Sequence, residues 1–415
     1  MPERPKAPRG TYDLLPPDSE LLTEIEDVAR TLFDRYGYRR IEVPIFEHTE
    51  LFERTVGEGS DVVVQKQMYT FPDARGRMMT LRPEGTAGTV RAFLDHRPDK
   101  TLGSPVRLYY IGPMFRYERP AKGVDRQYVS VGVENIGSAS PLLDAEVIVL
   151  GSQFFDAFGL KPQLLLNTLG CPNDRVGFVR ALREALADHI DEMCDDCHRR
   201  LESNPMRVFD CKVPADKKIV RAHAPVIREY ICAECKEHHA SVERTLESLG
   251  VRWTDDPYLV RGLDYYTRTV FEFVEPDIPA LGGGGRYDVL VEQLGGPPTP
   301  ALGFGFGVSR LMLALRGHRE PMAWRPAVHV VWLGDVGALA LATAIDLRNA
   351  GLRVTLSDEA RSMRSQLREA DRLGAAHALI LGPDEVSRRA AKVKDMTSGE
   401  EREVPFERLV EELSA

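Results

Sequence analysis

The spacing of apolar and polar residues predicts a helix and then a sheet in the first third of the chain. Residues 19–37 carry apolar side chains three and four positions apart, which predicts a helix with Ser19 as its N-cap and Gly37 at its end. The apolar positions are Leu22, Ile25, Val28, Ala29, Leu32 and Phe33. Strand-like runs follow at residues 39–52, with a bend at Pro44, and at 62–73, 77–85, 106–118 and 125–137. Because few helical patterns separate these runs, we expect a largely antiparallel sheet.

The pattern changes twice further along the chain. Residues 171–250 are charged, helical in pattern and contain all six cysteines, and a strand pattern resumes at Tyr258. We therefore expect this segment to be a helical insertion into a domain that spans residues 1–325. Beyond Arg325, strand patterns at 327–334, 352–357 and 377–382 alternate with helical patterns near 338–350 and 361–373. This rhythm predicts a small α/β domain over residues 326–415, and the whole chain is expected to be α+β.

Composition and charge limit the classes of function. With 43% hydrophobic and 28% charged residues, the chain has the composition of an ordinary globular protein. The sequence has no apolar run long enough to cross a bilayer, and its start, MPERPKAPRG, lacks the apolar core of a secretory signal. We expect a cytoplasmic protein without membrane contact. The net charge of −9 argues against a general nucleic-acid coat protein but allows local basic surfaces.

Five segments are unusually dense in polar and glycine residues. They are LRPEGTAG, GPMFRYERP, QYVSVGVENIG, LVRGLDYYTR and ALGGGGRYD together with GFGFGVSRLMLAL. Each has an ordinary explanation when it is taken alone. Arg116 and Glu118 are spaced like a surface ion pair, Gly282–Gly285 suits a tight strand connection, and LVRGLDYYTR suits a solvated edge strand.

The order and combination of these segments resemble the class II aminoacyl-tRNA synthetases, and among them the histidyl-tRNA synthetase family. RGTYDLLP resembles the N-terminal signature of that family, and the helix and strand that end at Pro44 resemble its dimer-forming motif 1. FRYE with Tyr128 resembles motif 2, and GFGFGVSRL resembles motif 3. LVRGLDYYTR and GGGGRYD resemble the two histidine-specific segments. The resemblance implies a homodimer with an antiparallel-sheet catalytic domain, a helical insertion and an anticodon-binding α/β domain.

The resemblance also implies a reaction and its partners. Histidine would attack the α-phosphate of ATP, release pyrophosphate and then pass to the 3′-terminal adenosine of histidine tRNA, with Mg²⁺ as cofactor. Two alternatives stay open at this point. One is a non-catalytic, histidine-sensing paralogue that regulates histidine biosynthesis, although such paralogues typically lose the LVRGLDYYTR segment and the C-terminal domain. The other is a class II synthetase for another amino acid, against which GLDYY and GGGGRYD argue.

The same resemblance assigns roles to particular residues. Arg116 and Arg261 would be catalytic, since they would hold the α-phosphate and stabilise its developing charge. The ATP-binding residues would be Arg116, Glu118, Tyr128 and, for the γ-phosphate, Arg310. The histidine-binding residues would be Glu84, Gly85, Thr86, Ser130, Glu134, Arg261, Tyr265 and Tyr266. Glu84 and Thr86 would face the ammonium, and Glu134 and Tyr266 would bind the imidazole.

Ser130 departs from the family pattern. Members usually have a glutamine at this position, four residues before the pocket glutamate Glu134, where it helps to hold the ammonium. A serine side chain is shorter and would need a bridging water to reach the same group.

The cysteines allow two interpretations. Cys194 and Cys197 form one Cys-x-x-Cys pair, and Cys232 and Cys235 form another, with a spacer that contains Cys211. Together the four residues could form a closed structural Zn²⁺ site. Alternatively, they are reduced cysteines that pack inside a helical insertion.

A basic pattern in the C-terminal domain suits RNA. Arg361, Arg364, Arg368 and Arg372 are spaced three, four and four residues apart, which would align them on one helix face. The segment RRAAKVK at 388–394 adds positive charge. A solvated helix face is the ordinary explanation, but such a stripe also fits the phosphates of a tRNA, so Arg361, Arg364 and Arg368 are candidate tRNA-binding residues.

Overall fold

The computed structural model describes residues 4–56, 67–316, 318 and 324–414. It divides into two compact units, Met1–Pro321 and Met322–Ala415, so that the division lies four residues before the boundary expected from sequence. No helix among the described residues is both long and apolar enough to cross a membrane.

The first unit is built on a large sheet. The strands of the unit are β1 (Arg39–Arg40), β2 (Phe46–His48), β3 (Thr70–Pro72), β4 (Met78–Leu81), β5 (Val106–Phe115), β6 (Gln127–Ile136), β7 (Gln163–Thr168), β8 (Thr254–Asp255), β9 (Thr267–Val274), β10 (Gly282–Arg286) and β11 (Ala301–Gly307). Eight of them form one sheet in the order β1-β5-β6-β11-β10-β9-β7-β8. All neighbours from β5 to β7 are antiparallel, and only the two-residue edge strands pair in parallel. The expectation of a largely antiparallel sheet is confirmed.

The helices of the first unit cover this sheet. They are α1 (Asp18–Arg35), α2 (Thr49–Val56), α3 (Thr86–His96), α4 (Asp99–Leu102), α5 (Pro141–Asp156), α6 (Pro172–Leu186), α7 (Asp195–Ser203), α8 (Pro214–His223), α9 (Ala233–Ser248), α10 (Leu290–Gln293) and α11 (Val308–Arg316). Helix α1 buries Leu21, Ile25, Ala29 and Phe33, one from each turn, against the same core as the aromatic side chains of β11.

Local signals misplaced two boundaries. Ser19 is not an N-cap, because α1 begins one residue earlier and its cap position is Pro17, which offers no side-chain acceptor. The strand expected over 39–52 ends at His48, and the acidic, amphipathic residues that follow form α2. The run at 62–73 lies partly outside the described residues, and its described part contains β3. Strands β2, β4 and β3 form a separate three-stranded sheet.

Helices α6 to α9 lie in the predicted insertion, between β7 and β8. Short 3₁₀ helices at Ala187–Glu192, Pro205–Asp210 and Ile227–Glu229 connect them. The insertion shares one hydrophobic core with the end of the large sheet, since Phe178, Leu182 and Cys235 pack in the same cluster as Tyr265 and Tyr287. It is therefore fixed to the elements that carry the LVRGLDYYTR segment.

The second unit is a separate α/β fold. Its elements are β12 (Val328–Trp332), α12 (Gly337–Asn349), β13 (Val354–Leu356), α13 (Met363–Arg372), β14 (His377–Leu381), α14 (Pro383–Arg388), β15 (Ala390–Asp395), β16 (Glu401–Pro405) and α15 (Leu409–Ser414). The sheet order is β13-β12-β14-β15-β16, in which the first three strands are parallel and the last two antiparallel. The predicted βαβαβ rhythm is present, and a β-hairpin extends it.

Candidate active site

A single open cavity in the first unit gathers the polar segments that the sequence singled out. The predicted site residues that line it are Glu84, Gly85, Thr86, Arg116, Glu118, Tyr128, Ser130, Arg261, Tyr265, Tyr266 and Arg310. Five chain segments, up to 226 residues apart (Glu84 to Arg310), thus meet at one place.

Three arginines from distant elements line this cavity. Arg116 follows β5, and its Nε donates to the Pro83 carbonyl at 2.9 Å. Arg310 lies in the first turn of α11, where its Nε and Nη1 donate to the carbonyls of Gly123 and Ala280 at 3.1 and 2.7 Å. Arg261 precedes β9 and forms an ion pair with Glu272. Backbone carbonyls therefore fix the guanidinium groups of Arg116 and Arg310, and a carboxylate fixes that of Arg261, before any ligand binds.

The charges of the arginines are close enough to affect one another. Burial lowers the pKa of Arg310, and Coulombic repulsion from Arg116 lowers it further. In the described part of the chain, Glu118 is the one carboxylate within ion-pair distance of Arg116, at 3.8 Å, a long contact. A bound anion reduces the electrostatic repulsion between half-buried cations. The arrangement suits a ligand with several negative charges, such as a triphosphate.

Glu84 and Thr86 stand at the start of α3. The Glu84 carboxylate accepts the backbone N–H groups of Thr86 and Ala87, the latter at 2.9 Å, so it caps the helix from two residues before it. Burial raises the pKa of Glu84. The Thr86 hydroxyl donates to Glu134 Oε1 at 2.6 Å. A buried carboxylate at the cavity wall is the acceptor that an ammonium group requires.

Glu134 lies behind the cavity wall and is itself only 1% exposed. Its second oxygen accepts a hydrogen bond from the Tyr287 hydroxyl. Burial raises the pKa of Glu134 to about 8. A Cβ atom added at Gly303 would lie 2.2 Å from Glu134 Oε2, so only glycine at that position of β11 leaves room for the carboxylate.

Tyr287 is a site residue that the sequence analysis missed. It lines the cavity, and its ring packs edge-on against Tyr265 at 5.6 Å between centroids. Tyr110 and Glu272 were also missed, the first as a cavity residue of β5 and the second as the partner of Arg261. The signal for Tyr287 was present, since it belongs to GGGGRYD, and the glycines of that segment form β10 in the cavity floor rather than a tight connection.

Ser130 lines the cavity, but its hydroxyl is turned towards the backbone. It donates to the Phe306 carbonyl of the neighbouring strand β11 at 3.3 Å. Ser130 pairs in register with Gly307 across the β6–β11 ladder, which places it on the floor.

The structure separates Cys194, Cys197, Cys232 and Cys235, the four cysteines expected to form one zinc site. The two Cys-x-x-Cys pairs stand at the beginnings of different helices, α7 and α9, and they belong to different clusters. Cys211 and Asp216 complete the first cluster, and Cys171 and Asp174 complete the second. The remaining members of each cluster come from other segments of the chain, so the spacing of the two Cys-x-x-Cys pairs could not predict them.

The predicted basic stripe of the second unit is only partly free of acidic neighbours. Arg361 lies before α13 rather than on it and pairs with Asp358 and Glu369 at 2.7 and 3.3 Å. Within the described part of the chain, no acidic side chain pairs with Arg364 or Arg368, and both are exposed. The 388–394 segment forms most of β15, where Lys392 and Lys394 face Glu401.

Comparisons with known proteins agree with this architecture. A family model described as histidyl-tRNA synthetase matches residues 10–311, and one described as an anticodon binding domain matches residues 327–415. The histidine–tRNA ligase of Halothermothrix orenii is 44% identical and covers 98% of both chains. That of Geobacillus thermodenitrificans is 46% identical over 97% of this chain and 96% of its own. The crystal structure of apo Staphylococcus aureus histidyl-tRNA synthetase is 36% identical, with a TM-score of 0.82 over 99% of this chain and 100% of that one.

Proposed function

The chain belongs to the histidyl-tRNA synthetase family and catalyses the ligation of histidine to tRNA, and from this premise we propose how its own residues divide the reaction. The observation that carries the proposal is the convergence of Arg116, Arg261 and Arg310 on one cavity beside the carboxylate of Glu84. The cavity thus offers three fixed cations for a triphosphate and an acceptor for an amino group.

The first step needs charge stabilisation rather than proton transfer. A carboxylate oxygen of histidine forms a bond to the α-phosphorus of ATP, and the bond to the bridging oxygen breaks to release pyrophosphate. Arg116 holds the α-phosphate and the attacking carboxylate, and Arg261 stabilises the charge that develops on that phosphate. Arg310 binds the γ-phosphate through its fixed guanidinium. Because backbone carbonyls already hold Arg116 and Arg310, little reorganisation accompanies the reaction.

The adenine and Mg²⁺ take their places around the same arginines. Tyr128 stacks on the adenine and Glu118 contacts its amino group. Mg²⁺ requires oxygen ligands, and the Glu272 carboxylate lines the space beside the three arginines, so Glu272 together with phosphate oxygens of the substrate would hold the ion. When bound, the ion would neutralise charge on the phosphates.

Histidine binding uses the cavity wall beside the arginines, at the start of α3, on β6 and before β9. Glu84, with Gly85 and Thr86 at the start of α3, accepts the ammonium, and Ser130 reaches it through a water. Tyr266 and Glu134 bind the imidazole, with Thr86 and Tyr287 holding the Glu134 carboxylate in place. Tyr265 packs on Tyr266 at 4.7 Å between ring centroids and orients it. An isostere without the ring nitrogens would leave these groups unpaired, at about 1–3 kcal/mol each.

Amino-acid-dependent ATP–pyrophosphate exchange tests this proposal. The purified chain should catalyse exchange with histidine and not with threonine, proline or glycine. Exchange with one of those amino acids in place of histidine, or no exchange at all, would refute the assignment of the cavity.

The second step and the RNA contacts complete the proposed cycle. A hydroxyl of the terminal adenosine ribose of histidine tRNA attacks the histidyl carbonyl, and AMP leaves. Arg364 and Arg368 contact tRNA phosphates from the second unit, while Arg361 contributes less because two carboxylates already pair with it. We place the enzyme in the cytoplasm, where tRNA is charged.

A homodimer is proposed from an apolar surface on the small sheet. Phe46 and Phe71 are 52% and 40% exposed, their rings lie 6.3 Å apart, and Ile45 and Met78 are also exposed. A contiguous apolar patch of this kind is typical of an interface. Sedimentation velocity should give a dimer for the unaltered chain and a monomer for Phe46→Glu with Phe71→Glu. A monomer in both cases would reject the interface.

A further inference from the structure

All six cysteines of the chain fall into two clusters of the same composition. The first cluster consists of Cys194, Cys197, Cys211 and Asp216, and the second of Cys171, Asp174, Cys232 and Cys235. Within each cluster, the three sulfur atoms and one carboxylate oxygen lie within 4.8 Å of one another. No cysteine is left outside them, and none forms a disulfide. Cysteines that serve only as packing residues have no reason to divide in this way.

The first cluster has the dimensions of a tetrahedral site. The sulfur atoms of Cys194 and Cys211 are 3.9 Å apart, and Cys211 Sγ is 3.4 Å from Asp216 Oδ2. Zn²⁺ binds thiolates at about 2.3 Å and carboxylates at about 2.0 Å, so a regular tetrahedron has edges of about 3.8 Å between two sulfurs and about 3.5 Å between sulfur and oxygen. These two separations match the corresponding edges.

Helix N-termini bring the ligands of both clusters together. Cys194 is the N-cap of α7, and Cys197 lies one turn further along that helix. Cys232 is the N-cap of α9, and its Sγ accepts a hydrogen bond from the Cys235 N–H at 3.5 Å. Cys171 is the N-cap of α6, with Asp174 at the third helical position. N-cap and third-position side chains meet beside the helix axis, where the positive end of the helix dipole favours thiolates.

The two aspartates are buried beside the thiols of their clusters. Asp216 and Asp174 are only 1% and 8% exposed. Backbone N–H groups donate to them, from Cys194 to Asp216 at 3.0 Å and from Cys171 and Cys232 to Asp174 at 2.9 and 3.0 Å. Among the residues that the structure describes, no lysine, arginine or histidine pairs with either carboxylate. Carboxylates that bind metal ions are themselves hydrogen-bonded in this way, so each aspartate is oriented to join the three thiols around it as a ligand.

We propose that the insertion binds two zinc ions, one in each cluster, through three thiolates and one carboxylate. Soft sulfur ligands in a tetrahedral arrangement select Zn²⁺ over Mg²⁺ or Ca²⁺. Four protein ligands fill the tetrahedron and leave no open position, so the ions are structural. The second ion joins the starts of α6 and α9, and the first joins the start of α7 to the chain before and within α8.

The first zinc site also supports the active site. Cys194 and Cys211 line a second cavity that Arg116, Arg261 and Arg310 also line. Asp210, which precedes Cys211, pairs with Arg207, and Arg207 Nη1 donates to the Arg261 carbonyl at 2.9 Å. A metal that fixes Cys211 thereby fixes the backbone at Arg261. This consequence rests on the role proposed for Arg261, whereas the metal content does not, so the two can fail separately.

Elemental analysis of the full, tag-free chain, purified under reducing conditions without chelator, tests the proposal. The expected content is two zinc ions per chain, falling to one in Cys211→Ala, one in Cys235→Ala and none in the double variant. His239→Asn is the matched control: it alters the nearby group of His239, Glu243 and Asp255 and should leave the content at two. An unaltered chain without zinc overturns the proposal. If the unaltered chain holds one zinc ion and only one of the two single variants loses it, the proposal is overturned for the cluster that the other variant alters.

Cobalt substitution separates ligation from misfolding. In the Cys235→Ala background, Co²⁺ added to the metal-free chain should give the absorption of a tetrahedral, thiolate-bound ion. Adding Asp216→Cys should keep the ion bound and strengthen the sulfur-to-cobalt charge-transfer band by about one third, because the thiolates increase from three to four. An unchanged band would remove Asp216 from the ligand set, and no tetrahedral spectrum would remove the site.

Discussion

The arginines of the cavity and those of α13 differ in how they would bind a polyanion. Arg116, Arg261 and Arg310 are half-buried, and backbone carbonyls or a carboxylate hold them. Arg364 and Arg368 extend from an exposed helix face. In the cavity, each guanidinium loses its conformational entropy when the protein folds and not when the ligand binds. The local dielectric constant is also low, which strengthens the electrostatic interaction with a phosphate. On α13, salt screens the charges within about 8 Å, and each side chain orders only when it binds.

This contrast predicts how much each arginine matters. A fixed, desolvated cation acts on one phosphate at one moment of the reaction, so its removal should be severe and confined to that step. Exposed cations share a long-range attraction, so their removal should be moderate, additive and dependent on salt. The predictions below set the two regions against each other.

The largest effect is expected at the centre of the cavity. Arg261→His should slow histidine-dependent ATP–pyrophosphate exchange by roughly 100-fold or more, since it removes a donor to the developing charge. Histidine binding, measured by calorimetry without ATP, should change little. Arg268→His is the matched control from the same segment, because Arg268 pairs with Glu234 in the insertion and does not line the cavity. Near-normal exchange in Arg261→His would remove Arg261 from the mechanism.

The buried carboxylate Glu134 gives the next largest effect, on stability. Its pKa is raised by burial from an ordinary 4.5 to about 8, so the folded chain binds a proton more tightly than the unfolded chain. This stabilisation is complete below about pH 4.5 and is lost as the pH rises through about 8. Glu134→Gln should therefore flatten the fall in unfolding free energy between pH 5 and 8, on the order of a few kcal/mol.

Denaturant unfolding of the substrate-free chain at several pH values measures this slope. Glu53→Gln, on the exposed face of α2, serves as the control and should follow the unaltered chain. If Glu134→Gln keeps the original slope, the carboxylate is not protonated in the folded protein.

A moderate effect is expected on α13. Arg364→Glu with Arg368→Glu should lower the efficiency of tRNA charging about 10-fold and leave pyrophosphate exchange intact. The slope of log efficiency against log salt concentration should fall by roughly two, about one for each lost phosphate contact. Equal losses in charging and exchange would mean that these arginines support the fold and do not contact RNA.

The sequence alone predicts the secondary-structure elements better than it predicts the contacts between residues far apart in the chain. Helix α1 was predictable because its apolar spacing is local and complete. The partnership of Tyr287 with Glu134 joins residues 153 positions apart, and no local pattern encodes it. The cysteine clusters show the same limit, since two Cys-x-x-Cys pairs suggested one site and the fold places them in two separate clusters. The convergence of the arginines was expected only from the resemblance to a family, because spacing does not measure distance in space.

The smallest effect is expected at Lys392, and it sharpens the distinction between free and paired cations. The sequence suggested that residues 388–394 add to the basic surface, but Lys392 and Lys394 face Glu401 across β15 and β16 at 3.6 and 3.4 Å. A cation that already has a carboxylate partner contributes little to the attraction of a phosphate. Lys392→Glu should therefore lower charging efficiency by less than about threefold, against about 10-fold for the pair on α13. A loss equal to that of the α13 variant would mean that the hairpin contacts tRNA and that exposure, not pairing, decides which cations bind it.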